Sequence, residues 1–315
     1  MIADSVFTLN SYLKKHFGCR VARISFDTGC NCPWNRCVFC REDAFIPRHI
    51  VDMSKENWEK KFLMVKKILR KRYKTDKFMA YFQSGTSTFG DSEILGKYYR
   101  EAASLPGIEG LVISTRPDFL DAEKIDTILE SSEKCNEIWL ESGLQTVHDS
   151  SLQLLNRGHD SESYFSALEN ISRLAGDRIK VAPHLILGIP GENEDDYMET
   201  VKKSLAPDIV KGVKFHHMQV HRGTVLARMY EKQPFRLFDE EEYVDLFSKI
   251  IRYVPGDKVV LRMFASAPSE LLVGPRWETS VSGMIHKIEK KLKTAIIKQG
   301  DLIDEFKWKT EKTSS

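Results

Sequence analysis

Proline and glycine are scarce, 11 and 18 among 315 residues, which excludes a collagen-like repeat and a chain built from low-complexity linkers. Long apolar runs are missing too. Nowhere do about 18 hydrophobic residues follow one another, so no membrane association is expected. The opening MIADSVFTLNSYLKKHF lacks the basic start and apolar stretch of an export signal, which makes a cytoplasmic protein the expectation. Charge of one sign is absent as well: 47 basic against 45 acidic residues leave a formal net charge of +2, which by itself asks for no polyanionic partner. What remains is ordinary globular composition, 42% hydrophobic and 29% charged, in a chain long enough for a well-buried core.

Cysteine is sparse but uneven. Of six, at positions 19, 30, 32, 37, 40 and 135, four fall between Cys30 and Cys40. Disulfide frameworks spread their cysteines to close long loops, whereas a tight cluster in a cysteine-poor chain points to a metal or iron–sulfur site.

Short β-branched runs alternate with longer amphipathic ones. Strands are predicted near Arg20–Asp27, Phe78–Gln83, Gly110–Ser114, Glu137–Leu140, Lys180–Leu187 and Val213–Val220. Helical patterns fall near Ser54–Tyr73, Ser92–Ser104, Ala122–Ser131, Ser161–Ala175 and Asn193–Leu205, several opening on capping residues. Alternation of this kind predicts an α/β fold with a parallel sheet, a partial (β/α)6 barrel over residues 18–265. Residues 1–17 then form an N-terminal extension and 266–315 a helical, lysine-rich C-terminal one. The polar or glycine-rich segments Gln83–Thr88, Thr115–Asp118, Glu141–Gln145 and Gly188–Glu192 follow strands two to five, and the cysteine cluster follows strand one. In a parallel sheet all five emerge at the carboxyl edge, where they describe one shared pocket.

Cys37 and Cys40 have the two-residue spacing that turns two thiolates to one centre, and Cys32 reaches it around a short loop. Three thiolates suit a [4Fe–4S] cluster with one iron left open. A zinc knuckle completed by a histidine such as His49 is the alternative, though structural zinc needs no pocket around it. Cys30 competes with Cys32 as first ligand, while Cys19 and Cys135 read as buried apolar residues.

The stretches Cys32-Pro33…Cys37-Val38-Phe39-Cys40, Tyr81-Phe82-Gln83…Thr86-Ser87-Thr88, Thr115-Arg116-Pro117-Asp118, Trp139–Thr146, Asn156–Asp160 and His184–Glu192 resemble the radical S-adenosylmethionine (SAM) superfamily. More narrowly the chain resembles the YhcC/YtqA family, whose radical domain is similar to those of the elongator catalytic subunit and the oxygen-independent coproporphyrinogen oxidase. There is one departure: four residues, not the usual three, separate Cys32 from Cys37. The resemblance implies an enzyme with a [4Fe–4S] cluster on Cys32, Cys37 and Cys40, cleaving SAM reductively to a 5′-deoxyadenosyl radical that abstracts hydrogen from substrate. It implies that Gln83, Ser84, Gly85 and Thr86 meet the methionine ammonium, although the family's glutamate is absent there. Glu141 and Gln145 would meet the ribose hydroxyls and the ammonium, and Arg157 the SAM carboxylate. Ile186 and Gly188 would flank the adenine, and Glu192 either joins the site or simply suits a helix start. A flavodoxin- or ferredoxin-type electron donor is implied as partner. His216 and His217 point to opposite faces of strand six, so at most one is expected in the pocket.

Between Lys55 and Lys77 ten basic residues meet three acidic ones, a local charge of +7. Trp58, Phe62, Val65, Ile68 and Leu69 make an apolar stripe that leaves the basic residues outside, a footprint suited to nucleic-acid backbone or simply a solvated helix. Trp308 in the tail offers a stacking group. Three functions therefore stay open. They are a radical SAM enzyme in tRNA wobble-uridine modification, a radical SAM enzyme on a small metabolite or peptide, and a metal-bearing binding module without catalysis.

Overall fold

The computed structural model describes residues 2–30, 32–41, 44, 46–47 and 49–303; Trp308 lies outside them. The elements, in order, are α1 (Leu9–Phe17), β1 (Ala22–Asp27), β2 (Val51–Asp52), α2 (Trp58–Tyr73), β3 (Phe78–Phe82), α3 (Ser92–Ala103), β4 (Ile108–Thr115) and α4 (Ala122–Ser131). There follow β5 (Glu137–Gln145), α5 (Asp149–Leu154), α6 (Ser161–Ala175), β6 (Lys180–Leu187), α7 (Glu194–Leu205), β7 (Gly212–His217) and β8 (Val220–His221). The chain continues through α8 (Val225–Lys232), α9 (Glu240–Ile250), β9 (Val259–Arg262), β10 (Leu272–Gly274) and α10 (Val281–Thr294).

The large sheet runs β2-β1-β3-β4-β5-β6-β7-β9, every pairing parallel. Its six inner strands are the six predicted, and β2 and β9 extend the two edges. Among the described residues no pairing joins β2 to β9, so the barrel stays open. β8 and β10 form a separate antiparallel ribbon beside it.

Central strands such as β3 and β5 are buried along their whole length, as strands covered on both faces must be. The helices begin where short polar side chains satisfy their first amides: Asp121, Asp160 and Asn193 cap α4, α6 and α7. α2 starts later than its pattern suggested, at Trp58, with Asn57 in the left-handed region at φ 61°. Ile68 also departs from the predicted stripe. Phe62 and Val65 are buried, but Ile68 is exposed beside Leu63 and Met64.

Two apolar layers position the site. The larger lies between sheet and helices. A smaller one, with Leu13, Val21, Met79, Val112 and Trp139, fills the amino-terminal end of the barrel, and α1 packs across it as a plug. Glu137 is buried there as an acceptor for Lys180 Nζ at 2.9 Å and Trp139 Nε1 at 3.0 Å, and for the Tyr12 hydroxyl. The barrel is therefore closed at its amino-terminal end, and the site lies at the carboxyl ends of its strands.

Candidate active site

The cysteine loop leaves β1 and is tied down by backbone and side-chain bonds rather than by regular structure. Val38 N donates to Leu155 O at 3.0 Å, and Leu226 N donates to Val38 O at 2.8 Å. Asn156 Nδ2 donates to Arg36 O at 2.8 Å, while Trp34 Nε1 donates to Asn156 O at 2.6 Å. The Trp34 ring then lies flat against Gly158, whose φ is +72° and whose missing side chain leaves the room; a Cβ there would overlap the indole. The Asn156–Asp160 segment is thus the bed of the cysteine loop.

Cys32, Cys37 and Cys40 all line one crevice of about 420 Å³ at the open end of the barrel. Cys40 N donates to Cys37 O at 3.1 Å, which closes the two thiols into one turn. Thr86 Oγ1 donates to Cys32 Sγ at 3.4 Å and Arg157 Nη1 to Cys37 Sγ at 3.3 Å. Cys30 is off this crevice. Its sulfur lies by Thr28 O and faces the space over Gly90. His49, the fourth ligand of the zinc alternative, is exposed and outside the lining.

Of the residues singled out in the sequence, Gln83, Ser84, Gly85, Thr86, Glu141, Gln145, Arg157 and Ile186 share the crevice with the thiols. Gly188 and Glu192 do not. They line a second cavity of about 620 Å³ between the β6–α7 loop and α9. There Glu192 Oε1 accepts from Thr146 Oγ1 at 2.7 Å, and burial raises its carboxyl above the ordinary range. Gln83 donates sideways, through Nε2, to Ser25 Oγ at 3.1 Å.

Gln145 stands at the end of β5 with φ +76°, a conformation that costs a non-glycine residue of order 1 kcal/mol. The strain follows an irregularity in the β5–β6 register between Ser142 and Gln145. It aims Gln145 into the crevice, with Oε1 buried and without a hydrogen-bond partner. Gly143 permits this: a Cβ there would come to 3.0 Å from both Arg157 Nη2 and Gln145 Nε2. Arg157 Nη2 donates to Gly143 O at 2.7 Å, leaving its Nε buried and unpartnered.

Glu141 lies deeper, and most of its capacity is already committed. Its Oε2 accepts from Lys214 Nζ at 2.6 Å, Tyr81 Oη at 2.6 Å and Ser114 Oγ at 3.2 Å, while Arg23 approaches Oε1 to 3.8 Å. Burial alone would raise its carboxyl. The charges of Lys214 and Arg23, with hydrogen bonds from Lys214 and Tyr81, instead hold it down at about 2.

Sequence reasoning passed over Tyr81, His184, Lys214 and Arg262, all on the lining. The signal was present in β7, where Val213-Lys214-Phe215-His216 alternates apolar and polar and so turns Lys214 and His216 to one face. His217 lines the crevice too, contrary to the expectation that at most one of the pair would. Alternation separates neighbours only inside a strand, and His217 is the last residue of β7. Its ring stacks on Trp277 at 3.9 Å, and burial together with His221 holds it neutral, down at about 3.

The donor set fits the expected cofactors. A cubane cluster takes one thiolate per iron, so three sulfurs along one wall suffice without converging on a point. Among the described residues no three His, Cys, Asp or Glu side chains converge as a single ion would need. The buried atoms Gln145 Oε1 and Arg157 Nε, which have no hydrogen-bond partner, are polar groups that a zwitterionic, hydroxyl-bearing cofactor would satisfy.

An open parallel barrel with its polar groups gathered at the carboxyl strand ends defines an α/β-barrel enzyme working in a closed-bottomed lumen. The Radical SAM superfamily model matches residues 27–203, and the Radical_SAM C-terminal domain model matches 210–294. YtqA of Bacillus subtilis is 32% identical over 304 residues, 93% of this chain and 91% of that protein. The chain belongs to the radical SAM superfamily and, within it, to the family of YtqA and of Escherichia coli YhcC. It is accordingly a radical SAM enzyme, with a [4Fe–4S] cluster and SAM as cofactors. A tRNA uridine(34) acetyltransferase of Methanocaldococcus infernus is 27% identical over 184 residues, 58% of this chain and 33% of that protein. The solved archaeal M. infernus Elp3 superposes with a TM-score of 0.65 at 20% identity, covering 89% of this chain and 64% of that one, a likeness of fold. Among the described residues no helix is long and apolar enough to cross a membrane.

Proposed function

We propose that this enzyme modifies a nucleoside of tRNA, the wobble uridine being the first position to examine. The observation that carries this reading is the outer face of α2. Lys60, Lys67 and Lys71 are exposed and spaced by seven and four residues, which puts them on one side of the helix, with the exposed Met64 and Ile68 between them. A row of lysines at this spacing suits a phosphate backbone. Two other residues of the segment serve the fold instead: Arg70 pairs with Asp76 at 2.8 Å, and Lys66 is turned onto Pro106 O. The similarity to the tRNA uridine(34) acetyltransferase, over 58% of this chain, supports the same substrate class.

In the crevice, Cys32, Cys37 and Cys40 hold the cluster, and Arg157 offsets negative charge at Cys37. Gln145, Arg157 and the Gln83–Thr86 segment orient SAM, and Ile186 supplies an apolar wall for its adenine. One-electron reductive cleavage of SAM is the chemistry these cofactors supply when bound. The residues beneath keep bulk water out, because α1 closes the barrel below. The reductant is a small flavodoxin- or ferredoxin-type donor.

The test is tRNA binding against salt. Each phosphate contact contributes about −0.9 to the slope of log affinity against log salt, so changing Lys60, Lys67 and Lys71 together to Gln should flatten the slope by about 2.7. SAM cleavage without substrate should be unaffected. Wild-type protein that fails to bind tRNA at low salt would move the substrate to a small metabolite or peptide. Nucleoside mass spectrometry of tRNA from a deletion strain then identifies the position.

A further inference from the structure

The residues that sequence reasoning passed over form a second pole of the crevice. His184, Lys214 and Arg262 are register partners on β6, β7 and β9, so their side chains leave the sheet on one face in a single row. All three line the crevice. His184 and Lys214 lie three residues before the ends of their strands, Leu187 and His217. At about 3.3 Å per residue that is ~10 Å below the strand-end loops carrying the thiols.

Charge in this row does not balance. Glu141 is the only carboxylate on the lining among the described residues, and Lys214 and Arg23 already share it. Arg262 has no carboxylate partner among the described residues; its Nη1 donates to His216 Nε2 at 2.9 Å. His184 Nε2 is buried without a hydrogen-bond partner, and its ring meets that of His216 at 3.9 Å. Burial, with Lys214 and Arg262 close by, keeps His184 uncharged and so free to present an N–H. Two permanent cations of the row, Lys214 and Arg262, thus face a single carboxylate that Arg23 also approaches, in a lumen closed from below, an arrangement that is costly until an anion completes it.

We propose that this row is an anion-binding subsite in which Arg262 and Lys214, with His184 Nε2 as third donor, take a carboxylate or phosphate group of the substrate. It would anchor the substrate at the pole away from the cysteines, with its reacting carbon directed back toward them. The proposal stands on the crevice alone and holds whether the substrate is tRNA or a small molecule.

Isothermal titration of the anaerobically reconstituted holoenzyme at saturating SAM provides the test, with inorganic phosphate and malonate as separate probes. At least one should bind at one per chain, with affinity tenfold or more weaker in Arg262→Gln and within threefold of wild type in Arg262→Lys. Response to phosphate alone assigns a phosphate group, and response to malonate alone a carboxylate. His184→Phe keeps the ring volume and deletes the donor. It should weaken binding three- to tenfold, and it carries the test if Arg262→Gln loses its cluster absorbance. Absence of binding by both probes, equal affinity in wild type and in these variants, or displacement of the anion by SAM would each overturn the proposal.

Discussion

Removing the charge of Glu141 should change how stability depends on pH in a way set by its surroundings. The carboxylate is buried against Lys214 at 2.6 Å and Tyr81 at 2.6 Å. Its folded-state value near 2 against an ordinary 4.5 corresponds to roughly 3 kcal/mol of stability at neutral pH, at 1.36 kcal/mol per tenfold. Because the folded value is depressed, this contribution is fully present above the unfolded value and is lost as pH falls through the folded one. Roughly 2 kcal/mol of it should be gone by pH 3. Glu141→Gln keeps the shape, never titrates, and leaves Lys214 buried without its anion, so at pH 7 it should be less stable by about 3–5 kcal/mol. Urea unfolding of both proteins at pH 7, 5, 4 and 3 measures the gap, since all other titrating groups are common to the pair. The gap should narrow by roughly 2 kcal/mol between pH 5 and 3. A gap that stays constant within about 0.5 kcal/mol would refute the buried-pair reasoning.

Three further outcomes are expected. Ala at Cys32, Cys37 or Cys40 should each abolish bound iron and the charge-transfer absorbance of the reconstituted protein, whereas Cys30→Ala should keep most of both; the reverse pattern would exchange Cys30 for Cys32 as ligand. Arg157→Ala should weaken SAM binding roughly ten- to a hundredfold, the worth of a charge-assisted contact of about 1.5–3 kcal/mol, and unchanged affinity by equilibrium dialysis would place SAM elsewhere. Gly158→Ala should lower iron uptake without touching a ligand, because its Cβ meets the Trp34 ring that beds the cysteine loop; wild-type iron content in that variant would show that the loop does not need this bed.

Much of this molecule is legible in one dimension because the relevant physics is local. The amphipathic periods of α4 and α6 and their Asp caps depend on neighbours three or four residues away, and both helices lie where the pattern puts them. Six strands alternating with helices imply a parallel sheet and one chemical edge, since right-handed crossovers leave few other ways to connect them. The spacing of Cys37 and Cys40 is local too, and both line the crevice with Cys32. What the sequence could not determine depends on partners far along the chain. The polar Glu-Ser-Gly-Leu-Gln after Leu140 reads as loop, yet β4 and β6 hold it as buried strand to Gln145. β9 is four residues that become a strand only by pairing with β7. Gly188 and Glu192 follow the same strand as Ile186 but face another cavity, because Gly188, at φ +90°, turns the chain against Phe238. The anion-binding row of His184, Lys214 and Arg262 joins residues 30 to 78 positions apart. Only strand register brings them side by side, and only burial in the lumen makes their unbalanced charge count.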